Sequence, residues 1–231
     1  MYRLRLMQTW IVALALLLAF GIPATSAQST INISNFEQDS LDSWQTREFS
    51  GFTKYETTTI DGIPALSASA SASASGLVKA VNIDLFETPY LNWSWRIEQA
   101  LLNLVESEKD GDDFAARIYL ICEDRWFKWN TIAINYVWSS QPQNLKPWGN
   151  PFAPKNAKML AIRHQQSPNQ RWVYEKRNVY QDLILAFGDK GSDSANEKAY
   201  RYINAVAIMT DTDNSKGVAK ALYGDISFTA N

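Results

Sequence analysis

The chain has 231 residues, with 22 Lys and Arg against 24 Asp and Glu, a single cysteine (Cys122) and a single histidine (His164). With no basic cluster past the N-terminus, it lacks the electrostatic footprint of a nucleic-acid binder, and an anionic membrane surface is disfavoured for the same reason. One cysteine and one histidine exclude an internal disulfide, zinc sites built from Cys and His, and haem attachment through paired cysteines.

Arg3 and Arg5 form a short basic start, and residues 10–20 are an apolar stretch broken by Gly21 and Pro23. That stretch falls short of the ~20 residues a membrane-crossing helix needs. Thr25 and Ala27 then present the small side chains that signal peptidase reads. Residues 1–27 are expected to be a cleaved secretory signal, which makes Gln28 the new N-terminus and the destination the periplasm or the medium. No transmembrane segment is expected after cleavage; the competing reading is an uncleaved anchor. Losing Arg3 and Arg5 leaves 20 cations against 24 anions, a net charge of −4. Residues 28–231 have the length of one domain.

The remainder reads as strands separated by turns. Residues 52–60 are rich in Thr, Tyr and Phe, and Asp61-Gly62 is a two-residue hairpin signal. Residues 66–75 alternate Ala and Ser, either a disordered linker or a half-buried strand with every Ala on one face. Strand is the expectation, although identical repeats specify register weakly and a two-residue slip costs little. Residues 76–85 continue the pattern. Within 90–98, Leu91, Trp93, Trp95 and Ile97 share one face, while Asn92, Ser94, Arg96 and Glu98 share the other. Residues 100–108 read as a short helix before the acidic loop 110–113. Strands are expected at 114–122, 130–138, 158–164 and 171–179, then a short helix at 180–187 stopped by Gly188, then strands at 203–210 and 221–229. The predicted fold class is mainly all-β, a β-sandwich or jelly roll with one or two short helices.

Several stretches, in order, resemble one bacterial family: Ser73-Ala74-Ser75-Gly76-Leu77, Trp93-Ser94-Trp95-Arg96, Gly111-Asp112-Asp113-Phe114-Ala115-Ala116-Arg117, Ala133-Ile134-Asn135-Tyr136-Val137-Trp138, Arg177-Asn178-Val179, Phe187-Gly188, Met209-Thr210-Asp211-Thr212-Asp213 and Tyr223-Gly224-Asp225-Ile226. That family is catalogued as domain of unknown function 3047. The resemblance implies an exported protein with a jelly-roll domain similar to carbohydrate-binding modules, and it brings no established activity. The long Ala/Ser tract and the insert at 141–158 depart from the family's pattern.

Asp112 and Asp113 stand at the entry to one expected strand, Asp211 and Asp213 at the exit of another. Strand ends gather at the rims of a sandwich, so the two pairs can meet. Three readings stay open: turn caps bonded to backbone N–H groups, oxygen ligands for Ca²⁺ or for a polar ligand, or an acid–base pair for glycoside cleavage. The stretch from Asp211 to Gly217 is not an EF-hand, because the glycine comes one place late and Leu222 stands where the bidentate Glu belongs.

Arg117 lies mid-strand between Ala115 and Tyr119, with Asp113 at the start. Arg96 and Asn135 hold similar mid-strand places, and Asp225 shares a face with Tyr223. Such groups form cross-strand structural pairs or line a sheet face that grips hydroxyls or a carboxylate. Trp93 and Trp95 are expected in the core, whereas Trp126, Trp138, Trp148 and Trp172 lie at strand ends or in loops, where rings can stack on sugars. Cys122, in an apolar run, reads as a buried structural thiol, and His164 as a structural or surface residue.

The expected function is a non-catalytic, extracytoplasmic binding domain for a glycan or other small polar ligand. Its expected contacts are Arg96, Asp113, Arg117, Tyr119, Asn135, Trp138, Asp211 and Asp213. No cofactor is expected beyond a Ca²⁺ that the carboxylates can accept. The rivals are a carbohydrate-active hydrolase or lyase using a carboxylate pair, and an envelope module that binds another protein. N-terminal sequencing of protein from periplasm or medium should begin at Gln28; an intact Met1 in the membrane fraction contradicts the signal reading.

Overall fold

The computed structural model describes residues 29–38, 41–123, 130–142 and 146–231, so the expected signal segment and Trp126 lie outside the described residues. In chain order the elements are β1 (Thr30–Asn32), β2 (Gln45–Ser50), β3 (Lys54–Ile60), β4 (Ile63–Ser71), β5 (Ala74–Asp84), β6 (Tyr90–Gln99) and β7 (Arg117–Cys122). Then come β8 (Ile132–Trp138), β9 (Trp148–Gly149), β10 (Ala157–Arg163), β11 (Val173–Asn178), α1 (Val179–Phe187), α2 (Asp193–Tyr200), β12 (Tyr202–Asp211), β13 (Val218–Tyr223) and β14 (Ser227–Thr229). Two seven-stranded sheets result. The first runs β1-β14-β6-β13-β4-β3 with β11 also on β6, and the second runs β2-β5-β12-β7-β8-β10-β9. The fold is a mainly β sandwich of jelly-roll type with two short helices.

Both sheets obey the two-residue side-chain period. On the first, Leu91, Trp93, Trp95 and Ile97 of β6 are buried as the alternation predicts. On the second, Ile118 and Leu120 of β7, Ile134, Tyr136 and Trp138 of β8, and Val206 and Ile208 of β12 meet them. Aromatic rings join the layers: Trp93 stacks on Tyr136 with centroids 5.3 Å apart, and Trp95 meets Trp138 edge-on at 5.7 Å. Such pairs add roughly 0.5–1.5 kcal/mol each beyond the area they bury. Trp138 is therefore a core residue and does not present a ring to solvent.

Asp61 and Gly62 both adopt positive φ, +55° and +77°, and close the β3–β4 hairpin where the sequence places it. Ala68 and Ala70 of the Ala/Ser tract face the core, whereas Ser67 and Ser69 are half-buried and Ser71 exposed. The tract is not one strand, however. Ala72 takes φ +47°, and the chain leaves β4 in the first sheet to enter β5 in the second. Four bonds pin this crossover: Ala72 N to Gly217 O, Thr212 N to Ser73 O, Ser71 N to Ser73 Oγ, and Ser73 N to Thr212 Oγ1. These bonds place the crossover at Ala72 and Ser73.

Two further expectations are corrected. Residues 100–108 form no helix, because their peptide groups bond across to the end of β8. Asn103 N donates to Ser140 O and Leu104 N to Ser140 Oγ, and Leu104 O accepts from Gln141 Nε2. The buried Glu106 carboxylate accepts from both Ser139 Oγ and Ser140 Oγ, and burial lifts its pKa against those bonds. The expected strand at 221–229 breaks at Gly224, where a Cβ would lie 2.1 Å from Ser94 Oγ. Asp225 turns away there and accepts from Phe36 N.

β8 and β10 pair in parallel, so the chain between them must cross back over the sheet. Between them, Trp148 packs on a second, smaller cluster on the outer face of the second sheet, made of Phe114, Val137 and Met159, with Ala161 also against it.

Cys122 is buried and unpaired, and burial pushes its thiol up to about 12. Thermal melts with and without reductant should coincide, and Cys122→Ser should cost on the order of 1 kcal/mol. Trp95→Ala, which opens the seam between the sheets, should cost about 3–5 kcal/mol in urea denaturation. Equal effects of the two changes would contradict this account of the core.

Candidate functional site

The same alternation that buries one face of the second sheet sends Arg117, Tyr119 and Ile121 of β7 outward, beside Ala207, Met209 and Asp211 of β12 and Gly76 and Val78 of β5. Small side chains at Ala74, Gly76 and Ala207 leave a depression there. It is a cleft of about 400 Å³, walled by Phe49 of β2 and by Asn150, Phe152 and Ala157 of the crossover. Phe49 and Phe152 are largely exposed at 70% and 57%. The floor is apolar. Most of the polar lining gathers around Asp112, Arg117, Asn150, Asp211, Asp213 and Asn214.

Arg117 organises that polar end. Its side chain is 4% exposed, and Nη2 donates to Asp211 Oδ2, itself on a side chain 1% exposed. Nη1 lies 3.7 Å from Asp112 Oδ1, an ion-pair distance too long for a hydrogen bond. The guanidinium carbon sits 5.2 Å from the Phe114 ring and 5.3 Å from the Tyr119 ring. Nε and Nη1 find no hydrogen-bond partner among the described residues, nor does Asp112 Oδ1. Asp112 Oδ2 accepts from Asn150 Nδ2 at 2.7 Å, which ties the crossover to the strand entry.

The other carboxylates divide between turn and ligand chemistry. Asp113 caps the turn after β12, accepting from Asn214 N and Nδ2 at 3.2 Å each and from Ser215 N at 2.5 Å. Asp211 Oδ1 accepts from Phe114 N at 3.2 Å. Asp113, Asp211 and Asp213 each offer an oxygen within 4.8 Å of the others, a spacing that a cation bound by oxygen ligands can use.

Burial holds the Asp211 carboxyl well above the usual range, Arg117 pulls it back, and Asp113 and Asp112 add to the rise. Asp112 is raised by burial and restrained by Arg117. Asp213 is raised by burial and by Asp113. Burial pulls the guanidinium down, but Asp211, Tyr119, Asp112 and Asp113 outweigh it and hold Arg117 charged.

Of the residues expected to contact ligand, Asp113, Arg117, Tyr119, Asp211 and Asp213 come together here. Asn135 is opposite Tyr119 on β8 and fully buried, with Nδ2 donating to Lys158 O; it does not line the cleft. Arg96 is on the first sheet, paired with Asp61 and Glu98. Trp138 is in the core. Trp148 is half-buried, donating from Nε1 to Glu106 O at 3.3 Å, and His164 bonds Gln166 on the surface. Sequence reasoning missed Phe49, Asn150, Phe152, Ala207 and Asn214. Only Asn214, within an Asp/Asn/Gly turn, carries a local signal.

The family model described as "Protein of unknown function (DUF3047)" matches residues 42–227. The chain belongs to that family. No curated protein matches the DUF3047 chain in sequence. Among solved structures, it is similar to a thermostable cellulase derived from a Rhodothermus marinus enzyme, with 9% identity, 88% of this chain and 100% of that one covered, and a TM-score of 0.42. A structure of carbohydrate-binding modules of the β-sandwich superfamily shares 11% identity over 85% of this chain and 61% of that one, with a TM-score of 0.38. Endoglucanase 3 of Trichoderma harzianum shares 7% over 83% and 99%, with a TM-score of 0.40. Likenesses this distant carry no argument about ligand or reaction in the DUF3047 chain.

Arg117→Met should destabilise the protein by about 3–5 kcal/mol at pH 7, because it strands buried carboxylates. Arg117 lowers both Asp211 and Asp112, so its removal raises them further and the folded variant takes up protons, as pH falls, that the folded wild type does not. The deficit of Arg117→Met should therefore shrink as pH falls from 7 toward 5 in urea titrations. A deficit that grows with acid would contradict the assignment.

Proposed function

We propose that the protein is an exported, non-catalytic binding domain that seats a polyhydroxylated ring, a glycan unit, in the outer cleft of the second sheet. The observation that carries this reading is the division of the cleft: an apolar floor between aromatic walls, with polar groups gathered around buried charges at one end. Ligand pockets have this composition, mostly apolar with few convergent polar groups. A sugar ring matches it, having an apolar face for the Phe49, Tyr119 and Phe152 rings and hydroxyls that both donate and accept. A hydroxyl can accept from Arg117 while donating to Asp112 Oδ1, the atoms that lack hydrogen bonds now.

Two of the four carboxylates are engaged, Asp113 with the turn and Asp211 with Arg117 and Phe114 N, which leaves Asp112 and Asp213 as the pair the rival hydrolase reading would have to use. In this reading binding needs no calcium ion, and Arg117 offsets Asp211 and Asp112. Export rests on the sequence of residues 1–27.

A glycan array on the purified protein should identify a ligand, and calorimetry should then measure it against two variants. Ala207→Trp fills the floor and should abolish binding with the protein still folded. Phe152→Ala removes an exposed ring and should weaken binding roughly three- to tenfold with an unchanged melting temperature. A silent array, or undiminished binding by Ala207→Trp, contradicts the proposal; release of new reducing ends from the ligand replaces it with the hydrolase reading.

A further inference from the structure

We propose that the group received by the polar end of the cleft is a protonated amine, so that the ligand is an amino sugar or a glycan with free amines. This rests on the cleft reading above and adds the sign of charge that the site selects. Asp112, Asp211 and Asp213 line the cleft with Arg117, and Asp113 stands within 4.8 Å of Asp211 and Asp213, which sets four carboxylates against one guanidinium. A uronate, sulfate or phosphate entering here meets more carboxylates than cations.

The cations nearby do not reverse that sign. Arg117 is taken by Asp211 and Asp112. Lys109 lies over the Phe152 ring at 5.3 Å, Lys216 lowers Asp213, and Arg47 is exposed on β2 opposite Gly76; none of the three lines the cleft.

Two carboxylates at the polar end keep acceptor capacity for the amine. Asp112 Oδ1 is buried without a hydrogen bond, on a side chain 5% exposed. Asp213 is half-buried and is bonded by its own backbone amide and, at 3.4 Å, by Asn214 Nδ2. An ammonium brings three donors and the missing charge, where a neutral hydroxyl brings one donor and none. The aromatic walls also attract a cation through their ring faces.

The test is calorimetry at low salt with three oligosaccharides of equal length: glucosamine oligomers with free amines, their N-acetylated forms, and an oligouronate. The free-amine form should bind about tenfold tighter than the acetylated form, with the oligouronate undetected. Asp213→Asn should bring the two glucosamine forms to within about threefold of each other, and Asp213→Glu should restore the preference. The inference is overturned if the acetylated form or the oligouronate binds as tightly as the free amine, or if Asp213→Asn leaves the ratio unchanged. Should that binding still vanish in Ala207→Trp, the cleft stands as the ligand site and only the amine is wrong. If no oligosaccharide binds, or Ala207→Trp binds as before, both fail.

Discussion

A full positive charge sits on β7 of this protein almost out of contact with water, and an isolated guanidinium cannot stay there. Arg117 therefore dictates what surrounds it. Asp211 from β12 and Asp112 from the loop before β7 come to it, and Phe114 and Tyr119 place rings near its charge. Those carboxylates have partners of their own in turn. Asp112 draws Asn150 of the crossover, and Asp211 takes the amide of Phe114. Asp113, packed behind them, holds the turn at Asn214 and Ser215. Three chain segments that are distant in sequence thus meet at one end of one cleft. Replacing such a network with apolar residues is often neutral or stabilising in proteins, so stability alone does not account for it.

The sandwich supports this arrangement by giving the two faces of the second sheet different work. Its inner face carries Ile118, Leu120, Tyr136 and Trp138 against the tryptophans of β6, and that seam supplies the rigidity. Its outer face carries small residues on β5 and β12, which make a depression in place of a second packed layer. β8 and β10 pair in parallel, and Asn150 and Phe152 of the segment between them wall the cleft.

Much of the fold was legible because strand alternation is a strong signal. The faces of β6, the Asp61-Gly62 turn and the burial of alanines in the Ala/Ser tract all follow from it. Where expectation failed, tertiary bonding outweighed local pattern. Residues 100–108 have helix-compatible residues, yet their peptide groups bond to Ser140 and Gln141. The Ala/Ser tract looked continuous because nothing local marks Ala72 as the point of crossover. Helix α2 was missed because it is short and mostly polar, with only Ala195, Ala199 and Tyr200 apolar, although Ser192 caps it by accepting from Ala195 N. At the site, charged residues announced themselves by sitting mid-strand or at strand ends, whereas Phe49, Phe152 and Ala207 act through position alone. Trp138 was misplaced because a ring at a strand end reads the same from sequence whether it faces solvent or the opposite sheet.

The account stands on the outer face of the second sheet being where ligand binds. Amide chemical-shift mapping during titration with an array-identified glycan tests that directly, because it reports location independently of affinity. The account predicts that the shifts concentrate in β5, β7, β12, the turn at 211–215 and residues 149–153. Shifts confined to the first sheet, around Arg96 on β6 or Tyr174 on β11, or to helix α2, would contradict it.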